Sequence, residues 1–294
     1  MSLIGTMNSG VSALRTFQKG LEVIGNNIAN VNTTSFKSSD AKYADSFSNI
    51  LQSSSPALST SGSSTPTMAV GTGVALSGIA TNFTQGSLAT TGNVTDLGIS
   101  GGGYFVVKNT ADTAKPVYAT RVGSFRIDSQ GYLVSQQGYR VQGLTGGVVG
   151  TAPAALGDIK LGTPAATTQL QSFSIDKSGN LVEFYADGTS ATTNQILMQS
   201  FNDESALNPI GNGLYSSMGA AGPLTTVSAM AKATNAPGSN GLGQIQSGTL
   251  ESSNVDLTEQ FSDLITTQRS FQAASRLITV SDTVLEDIVG LKTR

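Results

Sequence analysis

The stretch Glu22–Ser38 reads EVIGNNIANVNTTSFKS, and within it the chain changes its structural habit. Its first half places Val23, Ile24 and Ile28 at helical spacing. Asparagine then crowds in at Asn26, Asn27, Asn30 and Asn32, where a helix ordinarily carries Lys, Glu or Ala. Asn tolerates the left-handed region and hydrogen-bonds locally to main chain. These residues therefore mark a junction where helix gives way to extended backbone. The predicted helix runs from near Ser2 to near Asn30.

Working outward, the helix carries a stripe. Met7, Leu14, Leu21 and Ile28 recur every seven residues, with Phe17, Ile24 and Val31 three positions after members of that row. The far end of the chain repeats the device with Leu257, Leu264, Phe271, Ile278 and Leu285. There Phe261 and Val289 start and end a partner row that Gln268, Ser275 and Asp282 interrupt. Seven-residue apolar spacing is the coiled-coil signature. Ser252, Ser253 or Asn254 is expected to cap the second helix, with Asp256 and Glu259 suiting its positive end. Each stripe demands a partner, either the other stripe or copies on neighbouring chains.

The middle is patterned for β structure. Phe125–Val134 and Phe173–Val182 share F-x-I-D-x-x-G-x-L-V. Phe and Ile alternate onto one strand face, Asp opens a turn, Gly closes it, and Leu-Val returns. Each copy is a predicted hairpin. Further strands are expected at 74–79, 104–108, 117–120 and 196–201. Gln52–Thr67, a Ser/Thr/Pro tract, and Ala231–Gly243 read as loose connections. The fold class is thus α+β, with helices at both termini and a central all-β sandwich or irregular barrel. The divisions are 1–33 (first helix), 34–80 (extended linker), 81–235 (β domain), 236–251 (return linker) and 252–294 (second helix).

Composition excludes much. Charged residues make up 12% of the 294, against about 25% in ordinary domains. The net charge is −3 and no basic run appears, which disfavours nucleic acid and anionic membranes as partners. No run approaches the length of a membrane span, so no membrane insertion is expected. Cys, His and Trp are absent, which removes disulfides, thiolate metal sites and His-based catalytic triads. GISGGGYFVV at Gly98–Val107 lacks the Gly-Lys-Ser/Thr of a phosphate loop and leads into a strand. Its glycines suit close backbone approach. Asp128 and Asp176 read as turn residues, not calcium ligands. Asp203 and Glu204 read as solvated loop carboxylates. No catalytic residue, cofactor or metal is expected, and the chain reads as no enzyme. An adhesive or carbohydrate-binding β module and a carboxylate hydrolase are the rival classes.

The quoted blocks carry a resemblance. Gly25–Lys37 resembles the N-terminal signature of the flagellar rod and hook axial proteins. Phe83–Gly92 with Asp96–Phe105 is similar to their segment entering the β domain. Gly248–Leu257 with Gln268–Phe271 is similar to their C-terminal signature. Val23–Asn30, Tyr43–Phe47 and Ser253–Leu257 look more hook-like than rod-like, whereas the length is nearer that of the distal rod. The resemblance implies that the terminal helices pair as a coiled coil lining a tube, with the β domain outside. It implies a structural subunit of the flagellar hook, or alternatively of the distal rod. The implied partners are copies of itself in a helical homopolymer, other axial proteins and the flagellar type III export apparatus. Export without a cleaved signal would match the N-terminus, which lacks a basic region followed by an apolar one. The expected assembly residues are Met7, Leu14, Leu21, Ile28, Leu257, Leu264, Phe271, Ile278 and Leu285.

Overall fold

The computed structural model describes residues 3–54, 66–110, 116–145, 155–162, 169–226 and 230–292. The chain forms two compact units. The first comprises residues 1–31, 38–82 and 255–294, the second residues 32–37 and 83–254. Helices at the ends and strands between make the fold α+β.

In the first unit, α1 spans Leu3–Ala29 and the four strands are β1 (Ser39–Asp45), β2 (Ser48–Gln52), β3 (Met68–Gly71) and β4 (Val74–Thr81). β1 pairs antiparallel with β4, and β2 with β3. The span 34–80 thus carries paired strands. Most of the Ser/Thr/Pro tract lies outside the described residues. α1 ends by tapering: Asn30 N–H reaches both Asn26 O (3.1 Å) and Asn27 O (3.2 Å).

In the second unit the strands are β5 (Leu88–Thr90), β6 (Leu97–Ser100), β7 (Tyr104–Lys108), β8 (Val117–Thr120), β9 (Phe125–Ile127), β10 (Leu133–Ser135), β11 (Arg140–Thr145) and β12 (Ala155–Asp158). They continue with β13 (Leu170–Ile175), β14 (Asn180–Tyr185), β15 (Ser190–Ile196), β16 (Met198–Gln199), β17 (Asn208–Gly211) and β18 (Leu214–Ser216). After the short helix α2 (Lys232–Asn235) come β19 (Gln244–Ser247) and β20 (Thr249–Glu251). The main sheet runs β13-β14-β15-β11-β7-β8-β18-β17, with β9, β10, β12 and β16 attached. β19 pairs with β6 and β20 with β5.

Both repeats of the F-x-I-D-x-x-G-x-L-V motif are hairpins. Leu133 opposes Ile127 in β9–β10, and Leu181 opposes Ile175 in β13–β14. The turns match bond for bond. Gly131 N–H donates to Asp128 O and Gly179 N–H to Asp176 O, both at 2.8 Å. These glycines take φ of 84° and 74°, values an L side chain rarely adopts. Phe125, Leu133, Ile175 and Leu181 enter one core with Leu97, Phe105 and Ile245. The expected strand at 196–201 is interrupted: β15 ends at Ile196 and Met198–Gln199 pairs with β7 instead. Ala231–Gly243, expected to be loose, is built around Asn235, which is fully buried. Asn235 Nδ2 donates to Met198 O (3.0 Å) and Gln199 Oε1 (2.8 Å).

Candidate functional site: the terminal helices

α3 spans Leu257–Lys292 and belongs to the first unit with α1. Its cap is Asp256, not Ser252, Ser253 or Asn254. Asp256 Oδ1 accepts from Thr258 N–H at 2.8 Å and Glu259 N–H at 3.4 Å. The displacement has a simple reason: α3 begins at Leu257, so Asp256 is the residue that stands immediately before its first turn.

Three contacts fix how α1 meets α3. A Cβ on Gly10 would lie 3.1 Å from Ile278 Cγ1, one on Gly20 would lie 3.7 Å from Thr267 Cγ2, and Asn27 bonds to Gln260. Numbers rise on one helix as they fall on the other, so the two run antiparallel. Glycine at 10 permits the approach, since a Cβ there would press on Ile278, whereas glycine at 20 makes room for the Tyr43 hydroxyl of β1 and meets Thr267 only at ordinary contact distance.

Asn27 is the polar anchor of the pair. It is 1% exposed. Its Nδ2 donates to Gln260 Oε1 (2.9 Å) and Ser39 O (2.8 Å), and its Oδ1 accepts from Ser39 N–H (3.0 Å). One side chain thus ties α1 to α3 and to the first residue of β1. Asn30 Nδ2 instead turns back to Asn26 O at 2.9 Å. The asparagine run therefore combines one buried clamp with a local helix stop.

Of the residues expected from the sequence, Met7, Leu14, Leu21, Ile28, Leu264, Phe271, Ile278 and Leu285 are half-buried, and Leu257 is exposed. On α3 the buried companions of Leu264, Phe271, Ile278 and Leu285 are Gln260, Ala274 and Ser281, with Thr267 half-buried. The row expected there was another: Phe261, Gln268, Ser275, Asp282 and Val289 all face outward. A search for large apolar residues overlooked a row of small and polar ones. Gly10 was the signal, because its missing side chain is what lets α1 approach the Ala274–Ile278 turn of α3.

A second apolar row emerges on the C-terminal half of α3. Leu277, Val280, Val284, Ile288 and Leu291 recur at spacings of three and four and are exposed, Leu291 at 77%. The first unit also exposes Phe47, Ile50, Leu51 and Met68 around β2–β3. Among the described residues of the second unit, only Val94, Ile127, Phe184, Ile210 and Leu224 are exposed large hydrophobics. Uncovered apolar surface is thus concentrated on the unit that holds the helices, as in a surface built for protein contact.

Asp203 caps a 3₁₀ turn, its carboxylate accepting from Ser205 N–H at 3.0 Å. Among the described residues no group of three or more carboxylates is placed to hold a metal ion. Among the same residues, no helix is long and apolar enough to cross a membrane.

Comparison with known proteins decides the family. Residues 7–37 match the flagella basal body rod protein family, residues 98–183 the flagellar hook protein FlgE/F/G D1 domain, and residues 246–291 the flagellar basal body rod FlgEFG protein C-terminal family. The flagellar basal-body rod protein FlgG of Bacillus subtilis is 37% identical over 99% of this chain and 100% of its own length. The chain belongs to the flagellar rod and hook axial protein family. It is a structural component of the bacterial flagellum. The FlgG protein of Caulobacter vibrioides is 32% identical over 97% of each chain. The hook protein FlgE of Treponema pallidum is 41% identical over 142 residues, which cover 48% of this chain and 30% of that one. The three matched segments fall on α1 with the residues that follow it, on the strands of the β unit, and on β20 with α3.

Proposed function

We propose that this chain polymerises into the axial tube of the flagellum as a rod-type subunit. The observation that carries the placement is the end-to-end match to a rod protein of the same extent. The hook is the second reading, favoured by the higher identity to a hook protein over about half of this chain. In both readings the role is mechanical, transmitting torque without catalysis, and the partners are further copies and other axial proteins. Passage through the flagellar type III export apparatus would deliver the subunit. Contacts that combine a rotation with a rise do not close on themselves and generate an open helical tube.

The tube is built by the helices. α1 and α3 pair through Met7, Leu14, Leu21, Ile28, Leu264, Phe271, Ile278 and Leu285 as a short antiparallel coiled coil, with Leu257 at its open end. This reading is supported by the half-burial of those side chains and by the exposed row beside them. Electron microscopy of cells lacking the gene tests the placement. A rod subunit leaves basal bodies whose rod is cut short. A complete rod ending without a hook would overturn the rod reading and favour the hook. Leu264→Asp tests the tube itself: the purified variant should fail to polymerise while its β unit stays folded, and normal tubes would refute the assembly mechanism.

A further inference from the structure

Three sequence blocks with no role in helix pairing converge on one buried charge cluster in the second unit. Lys37, Arg121 and Glu251 are each at most 4% exposed. Lys37 Nζ lies 2.7 Å from Glu251 Oε1 and donates to Thr84 O at 2.8 Å. Gly86 N–H donates to the same Glu251 oxygen at 2.9 Å. Arg121 Nη1 stands 3.4 Å from that oxygen, while its Nε and Nη2 hold Gly103 O (3.1 Å) and Gly101 O (3.0 Å).

The backbone closes around these charges. Ser35, held at φ 56°, donates its N–H to Glu251 O at 2.8 Å and its hydroxyl to Arg121 O at 2.9 Å. Asn254 N–H meets Phe36 O at 3.3 Å. Residues of the cluster and its backbone partners thus stand next to three of the four places where the chain leaves or enters the second unit: after Lys37, before Phe83 and after Asn254.

Two cations share one carboxylate in a dry site. Breaking such a cluster by removing its only direct anion is costly, whereas removing one of two cations leaves a matched pair. Burial outweighs the pairing with Glu251 and holds Lys37 below the ordinary lysine range. The ammonium is thus less favourably placed here than in water.

We propose that Lys37, Arg121 and Glu251 form a charge clasp that fixes where the chain leaves the β unit, with Lys37 a positioning residue that contributes geometry rather than stability. The full-length protein tests it by amide hydrogen exchange together with thermal melting. Lys37→Met should leave the melting temperature unchanged or raise it. At the same time Ser35, Gly86 and Asn254 amides should exchange about tenfold faster or more, as when a hydrogen bond to a charged group is lost. Glu251→Gln should speed the same amides and also lower the melting temperature. Unchanged exchange in Lys37→Met would overturn the clasp. A melting loss in Lys37→Met as large as that in Glu251→Gln would overturn the positioning role and make the pair an ordinary stabilising contact. Should Glu251→Gln fail to fold, Lys37→Met alone still discriminates.

Discussion

At the residue scale, buried polar side chains carry the structure where apolar ones are few. Asn27→Ala removes one donor and one acceptor that serve three partners, leaving the Ser39 amide and the Gln260 carbonyl unpaired. The expected loss is about 3 kcal/mol, seen as a lower denaturation midpoint for the helical signal. A second prediction concerns alkaline pH. Burial pushes the Tyr215 phenol up from 10.0 to about 12, and burial with the Glu204 charge pushes Tyr104 up further. The folded state then keeps protons that the unfolded chain releases. The stability contributed is intact below pH 10 and is lost as pH rises through the folded values. Lys37 runs the other way, because its folded value is lowered: its contribution improves as pH climbs through that value toward 10.5. Urea midpoints should therefore fall steeply only above pH 10, together with tyrosinate absorbance, and Tyr104→Phe should flatten the fall. The asparagine cluster was legible as a junction from sequence alone, because Asn chemistry is local. The clamp to Gln260 was not, since its partner stands 233 residues away.

At the element scale, periodicity located what it could measure. The seven-residue rows named the half-buried large residues on both helices, and the repeated ten-residue motif named both hairpins and their turns. It missed the small row on α3, because Ala274 and Ser281 carry no hydrophobic signal of their own. Their meaning comes from Gly10, whose absent side chain leaves Ala274 O 3.7 Å from where a Cβ would stand. Ala274→Leu should overpack this crossing at a cost of about 1–3 kcal/mol, read as lost helicity by far-ultraviolet circular dichroism. Val284→Asp makes the opposite test. Val284 belongs to the outward row, so the isolated subunit should keep its helix content and melting temperature. If that row meets neighbouring subunits, polymerisation should nevertheless be lost. Equal loss of helicity in the two variants would show that the outward row is part of the subunit's own packing.

At the scale of the whole molecule, strand identity was readable but strand partnership was not. Alternation identifies a strand's faces, yet nothing in Gln244–Ser247 says that it pairs with Leu97–Ser100 across the length of the β unit. That pairing makes the unit depend on residues near the end of the chain. Ile245 is fully buried against Ile99 and the common core, and Glu251 is the carboxylate that Lys37 and Arg121 share. A chain ending at Asn254 loses α3 but keeps every strand of the second unit. A chain ending at Gly243 loses β19, β20 and the shared carboxylate together. Emptying the core position and stranding two buried cations each cost several kcal/mol, about 3–5 for either by comparison with measured cases. Together they rival the total of about 5–15 kcal/mol that a domain has. The longer truncate should therefore retain the near-ultraviolet signal of Tyr104 and Tyr215 and a cooperative urea transition, while the shorter one loses both. Two truncates with the same transition would mean that the β unit closes without its last two strands, and that the long-range pairing is an ornament of the fold rather than its lock.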